Sequence, residues 1–104
     1  MNDDGLQRQA DEMERTRKVY QDAVEDEAQA CSEWRGYKQK ENDKYAEYQA
    51  TGDEGAKGEW ESAKGMAETK WQEYMNQRSQ REIAQRAYEN VSDSTLPEIP
   101  LCSL

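Results

Sequence analysis

The sequence predicts an all-α protein, a long antiparallel and coiled-coil-like helical hairpin that is completed by self-association or by docking in a larger assembly. Three observations predict it. Apolar and aromatic residues recur at steps of three and four along two stretches, which is a helix period and not a strand period. A glycine-rich break separates the two stretches. Laid antiparallel, the stretches match in a single register that also opposes unlike charges.

The first helix is predicted over about residues 4–50. Its stripe runs Leu6, Ala10, Met13, Arg17, Tyr20, Val24, Glu27, Cys31, Trp34, Lys38, Glu41, Tyr45 and Tyr48, with Ala23, Ala30 and Tyr37 widening one side. Between the breakers, Ala, Glu, Gln, Lys and Arg dominate, and these are good helix formers. The break is Thr51-Gly52-Asp53-Glu54-Gly55-Ala56-Lys57-Gly58, taken as a turn over 51–58 in which Thr51 or Asp53 caps the next helix. The second helix is predicted over about 59–91. Its stripe is Trp60, Ala63, Ala67, Trp71, Tyr74, Met75, Ile83, Ala84, Ala87, Tyr88 and Val91. Gly36 and Gly65 interrupt the helices and are expected to mark bends or close helix approach. Residues 92–104, with Pro97 and Pro100, form an extended tail. The hairpin is thus one domain, 1–91, followed by that tail.

Pairing positions whose numbers add to about 107 sets Tyr48 against Trp60, and Trp34 and Tyr37 against Trp71 and Tyr74. It also brings Cys31 near Met75, Val24 near Ile83, and Tyr20 near Ala87 and Tyr88. Asp22, Glu25, Asp26 and Glu27 fall opposite Arg78, Arg81 and Arg86, and the first 15 or so residues overhang. Two antiparallel helices have only one layer of contacts, whereas a domain needs a second packed layer.

Composition narrows the function. The 104 residues carry 14 Lys and Arg against 23 Asp and Glu, with no His and a formal net charge of −9. Mean hydropathy is −1.37. Leu, Ile and Val are so few that composition alone reads as disorder, and the three Trp and six Tyr argue against that. Without His, Ser-His and Cys-His pairs are excluded and the commonest general base is missing, so no catalytic residue, metal site, cofactor or small-molecule substrate is expected. The loop Gly52-x-x-Gly55-x-x-Gly58 lacks the Gly-Lys-Ser/Thr ending of a phosphate cradle and carries Asp53 and Glu54, which repel phosphate. The acidic balance argues against direct nucleic-acid binding.

No apolar run is long enough to cross a membrane, and the start Met1-Asn2-Asp3-Asp4 is acidic where a signal peptide is basic. Cys31 and Cys102 do not make a disulfide framework. A reducing compartment, the cytoplasm or the inside of a virus particle, is therefore expected, with Cys31 packed as a small hydrophobe.

Trp34-Arg35-Gly36 resembles the Trp-x-Gly turn of the small secreted helical-hairpin proteins of about 100 residues. The resemblance covers those three residues, the length and the general shape. It departs from the pattern in placement, since Trp34 falls in mid-stripe and the strong break is at Gly52 to Gly58. The C-terminal Tyr-x-x-x-Asp/Glu signal is also off, with Ser92 four residues after Tyr88 and Asp93 one too late. No function is carried across.

Two functions are expected from the residues. The first is a non-enzymatic structural or adaptor protein of a larger assembly, such as a small phage or bacterial component, with protein partners that include itself. Tyr20, Trp34, Tyr45, Trp60, Trp71, Tyr74 and Tyr88 carry its packing and interface. The tail residues Leu96, Ile99, Leu101 and Leu104 dock on a partner or fold back as a strap. The second is an acidic inhibitor that imitates nucleic acid, as antirestriction and some anti-CRISPR proteins do, through Asp22, Glu25, Asp26, Glu27 and Glu33.

Overall fold

The computed structural model describes residues 3–104 and consists of two long helices and a C-terminal strap. Helix α1 spans Asp3–Thr51 and helix α2 spans Glu54–Ser92, antiparallel in a hairpin of 77 × 18 × 13 Å. At 1.5 Å per residue the 49 residues of α1 account for nearly the whole long dimension. The expected all-α hairpin is what the chain forms. Its acidic start at Met1 and Asn2 lies outside the described residues.

The turn is much shorter than the glycine content predicts. Only Gly52 and Asp53 lie between the helices, and Gly55 and Gly58 belong to the start of α2. Gly52 takes φ +69, the left-handed region that glycine enters without steric cost, and its N–H donates to Tyr48 O at 2.7 Å. Asp53 caps α2 by accepting from Gly55 N–H at 3.0 Å, while Thr51 Oγ1 accepts from Asp53 N–H at 3.2 Å. One glycine and one cap suffice, so the remaining glycines need not interrupt helix. A Cβ at Gly36 or Gly65 would meet nothing within 4 Å, so neither marks a close helix approach.

Between the helices runs a seam built largely of alanine. Ala23 and Ala30 of α1 and Ala56, Ala63, Ala67 and Ala84 of α2 are buried, mostly at spacings of three, four or seven residues. Such spacing keeps one stripe of each helix facing its partner. Aromatic pairs tie the seam at intervals: Tyr20 with Tyr88 at 6.1 Å between ring centroids, Trp34 with Trp71 at 4.8 Å, and Tyr45 with Trp60 at 4.9 Å. The scarce aliphatics do not make the core. Leu6, Val19 and Ile83 are exposed, the last by 60%.

The predicted register holds in outline. Tyr20–Tyr88 and Trp34–Trp71 meet as expected, and Glu27 reaches both Arg78 and Arg81. Three expected neighbours do not. Trp60 packs on Tyr45 and leaves Tyr48 beneath Lys57 Nζ, 5.8 Å from the ring centroid. Ile83 points to solvent and does not meet Val24, because the buried edge of the α1 stripe is the Ala23–Ala30 side. Cys31 bonds to another residue altogether, and Met75 is exposed.

After α2, Asp93 enters the left-handed region at φ 53 and Ser94 N–H donates to Glu89 O at 3.3 Å, which turns the chain out of the helix. Residues 95–104 then double back along the hairpin toward the turn. Leu96 N–H donates to Glu89 Oε2 at 2.8 Å, Arg78 donates to Ile99 O at 3.1 Å and Pro100 O at 3.3 Å, and Cys102 N–H donates to Tyr74 OH at 2.8 Å. Arg35 Nε donates to Ser103 O at 2.6 Å. A disulfide joins Cys102 to Cys31, 71 residues earlier. The expectation of Cys31 as a lone packed thiol is corrected, and with it falls the inference of a reducing compartment from cysteine usage.

Candidate protein-interaction surface

Each long side of the seam presents a flank of distinct chemistry. On one, Val24, Cys31, Lys38 and Tyr45 of α1 succeed one another every seventh residue, and Lys64, Trp71, Arg78 and Gln85 do the same on α2. The strap lies on this flank, which is why two cavities along it share such residues. One, of about 310 Å³, lies between strap and α1 and is bounded by Val24, Cys31, Arg35, Leu101 and Cys102. The other, of about 280 Å³, lies nearer the turn beyond the strap and is bounded by Trp34, Lys38, Glu41, Ala67 and Trp71.

Under the strap the interior is closed and polar groups are matched. Tyr74 is only 1% exposed and packs in one cluster with Ala30 and Cys102, against which Cys31, Trp34 and Trp71 lean. Its hydroxyl accepts from Arg78 at 3.2 Å as well as from Cys102 N–H. Glu27 and Arg81, each 4% exposed at the side chain, form a two-pronged pair at 2.7 and 3.2 Å, with Arg78 at 3.5 Å from the same carboxylate. Arg81 also donates to Gln85 Oε1 at 2.6 Å. Its hydrogen bond to Glu27 holds the Arg81 guanidinium above its ordinary pKa, against the opposing effect of burial.

Nearer the turn the same flank is bare. Trp34, Trp60 and Trp71 are half-buried and Tyr45 is 44% exposed. Lys64 Nζ lies 6.0 Å from the Trp60 ring centroid, a cation–π contact at the surface. Glu41 Oε2 is covered and faces Lys38 Nζ at 3.1 Å, an ion pair without hydrogen-bond geometry.

No family model, curated protein or solved structure matches this chain. Its surface chemistry is therefore the basis for a functional reading.

The opposite flank is acidic. Asp26, Glu33 and Glu73 border a shallow cavity of about 320 Å³, with Lys70 between Glu33 at 3.9 Å and Glu73 at 3.1 Å. Toward the turn, Lys44 bridges Glu59 at 2.8 Å and Glu47 at 3.1 Å, and those hydrogen bonds raise its pKa while the bond to Lys44 lowers that of Glu59. Of the five acids expected to imitate phosphates, Asp22, Glu25, Asp26 and Glu33 are exposed. Glu27 is not, since its carboxylate is neutralised inside the hairpin by Arg81 and Arg78. Arg86 is exposed and makes no ion pair among the described residues, so the expected three-arginine neutralisation reduces to two arginines on one carboxylate.

The seven aromatics divide by position. Tyr74 alone is fully buried; Tyr20 and Tyr88 pair half-buried away from the turn, Trp34 and Trp71 pair at the edge of the strap, and Tyr45 and Trp60 form the run nearest the turn. The tail leucines are split as well. Leu96 and Ile99 are half-buried, whereas Leu101 and Leu104 are 52% and 65% exposed on the docked strap. In the structure the tail lies as a strap on its own hairpin. Among the described residues no helix is long and apolar enough to cross a membrane, and no three acidic or cysteine side chains converge as a metal site.

Proposed function

We propose that this protein is a non-enzymatic structural or adaptor component whose bare aromatic half-flank binds protein, first of all a second copy of the same chain. The observation that carries the reading is the unequal cover along one continuous flank. Where the strap lies, Tyr74 is sealed to 1% exposure; at the strap's edge Trp34 and Trp71 are only half-buried, and toward the turn Trp60 is half-buried and Tyr45 exposed. Trp and Tyr are the side chains most enriched at the centres of protein interfaces. A second hairpin laid on Trp34, Tyr45, Trp60 and Trp71 supplies the missing layer and makes a four-helix arrangement. A larger bacterial or phage assembly is a setting that suits such a part.

Sedimentation equilibrium of the full chain tests this. Self-association is expected, dissolved by Tyr45→Arg with helicity unchanged and left intact by the combined reversal Asp22→Lys, Glu25→Lys and Asp26→Lys. A chain that stays monomeric across the accessible concentration range ends the reading. The acidic-inhibitor reading keeps one supporting observation, the exposed Asp22, Glu25 and Asp26, which form no ion pair among the described residues. It requires the triple reversal to abolish binding to a basic nucleic-acid-binding protein.

A further inference from the structure

We infer that the Cys31–Cys102 bond is a thiol-operated latch, opened by a dithiol reductant, that releases the strap while the hairpin stays folded. The latch needs no partner and stands apart from the proposed function.

The strap is held mainly by its disulfide. Of its apolar residues only Cys102 is buried, Leu96 and Ile99 are half-buried, and Leu101 and Leu104 remain largely in solvent, so the strap's own apolar burial is modest. Its five hydrogen bonds, from Leu96 N–H to Ser103 O, replace bonds to water, so each contributes only part of its gross strength. They do not outweigh the conformational freedom regained by ten residues without secondary structure. The hairpin, by contrast, is held by groups that lie between the helices. Ala56, Ala63 and Ala67, the Tyr20–Tyr88 and Tyr45–Trp60 pairs and the Glu27–Arg81 hydrogen bonds include no strap residue, and Trp34 and Trp71, which also touch the Cys102 cluster, still meet each other across the helices.

The bond is also approachable from one side. Cys31 is half-buried and Cys102 is buried, and the cavity of about 310 Å³ borders both. The Arg35 guanidinium lines the same cavity and favours an incoming thiolate over a thiol. The reductant's first thiolate attacks Cys31 Sγ, forming a mixed disulfide as the Cys31–Cys102 bond breaks and its electron pair passes to Cys102 Sγ. The reductant's second thiolate then displaces Cys31. The balance is two electrons and two protons gained by the protein, and one disulfide formed in the reductant. Release frees Leu96 and Ile99 and uncovers the face of Val24, Ala28 and Tyr74.

Hydrogen exchange on the full-length chain, with and without dithiothreitol, tests the latch, mass spectrometry confirming that both thiols are free. Reduction is expected to speed exchange of the Leu96 and Cys102 amides at least tenfold. Amides of Ala23–Ala30 and Tyr74–Ala84 should still exchange at least a hundredfold slower than free amides, with helical circular dichroism retained. A strap that stays protected after reduction overturns the proposal. So does loss of protection in the seam together with the strap, which would make the bond a staple of the whole fold. Brief treatment with glutathione should place the mixed disulfide on Cys31, and an adduct mapped to Cys102 overturns the assigned direction of attack.

Discussion

The strap-covered half of the hairpin and the turn-proximal half share one helix pair and one seam, yet they solve burial differently. In the covered half a third element closes over the helices, and the interior there admits a sealed tyrosine and a buried ion pair. In the turn-proximal half no described residue lies over the seam, and Tyr45 and Trp60 are only partly shielded. The difference teaches that two helices of this composition make a register but not a core. Alanine contacts bring the helices together with little apolar area to bury, so full burial waits for a third layer.

The largest test of that contrast is Arg81→Met. It leaves Glu27 buried with only Arg78 at 3.5 Å, and stranding one member of such a pair costs about 3–5 kcal/mol. Urea denaturation is expected to show a midpoint lowered accordingly, and a double change of Glu27 and Arg81 to leucine should recover much of the loss. An Arg81→Met protein as stable as the parent would mean that the covered half is not dry. Next comes Cys102→Ser. Opening a 71-residue link is expected to cost about 2–4 kcal/mol, read as a lower thermal midpoint in the absence of reductant. A shift smaller than that of the next variant would place the stability in the hairpin alone.

In the turn-proximal half, Gly52→Ala forces a Cβ into a left-handed residue at φ 69 and should cost about 1–2 kcal/mol by thermal denaturation. The smallest effect is at acid pH. The Lys44 hydrogen bond holds the Glu59 carboxyl below its ordinary value of 4.5, so the pair's contribution is present above that pH and fades as pH falls through the lower folded value. Glu59→Gln should therefore lie slightly below the parent in thermal midpoint at neutral pH and converge with it in acid. A gap that persists at low pH would show that the ion pair is not its cause.

Much of this was legible in residue order, and the reasons are local. Helices, their antiparallel pairing and the Trp34–Trp71 and Tyr20–Tyr88 layers arise from periodicity, because a side chain's face on a helix is set by its position. The opposition of acids to arginines was legible too, but not its outcome. Helix period places Glu27 on the stripe and Asp22, Glu25 and Asp26 off it, and only Glu27 is sealed with Arg81. The turn was overread, since three glycines in seven residues look like a long break when a single positive φ is enough. The disulfide carried a faint signal. Ten extended residues beyond Ser92 reach about 33 Å, the length of roughly 22 helical residues, which returns Cys102 to the level of Tyr74 and Cys31.

By itself, then, the sequence determined a two-helix hairpin, its register and its lack of aliphatic core, since each rests on spacing and composition along one chain. Tertiary structure alone decided that the two cysteine-bearing segments meet and which aromatics the strap covers. Those outcomes depend on where a strap without periodicity settles, and its path is fixed by a disulfide and hydrogen bonds to side chains 7 to 71 residues away in sequence.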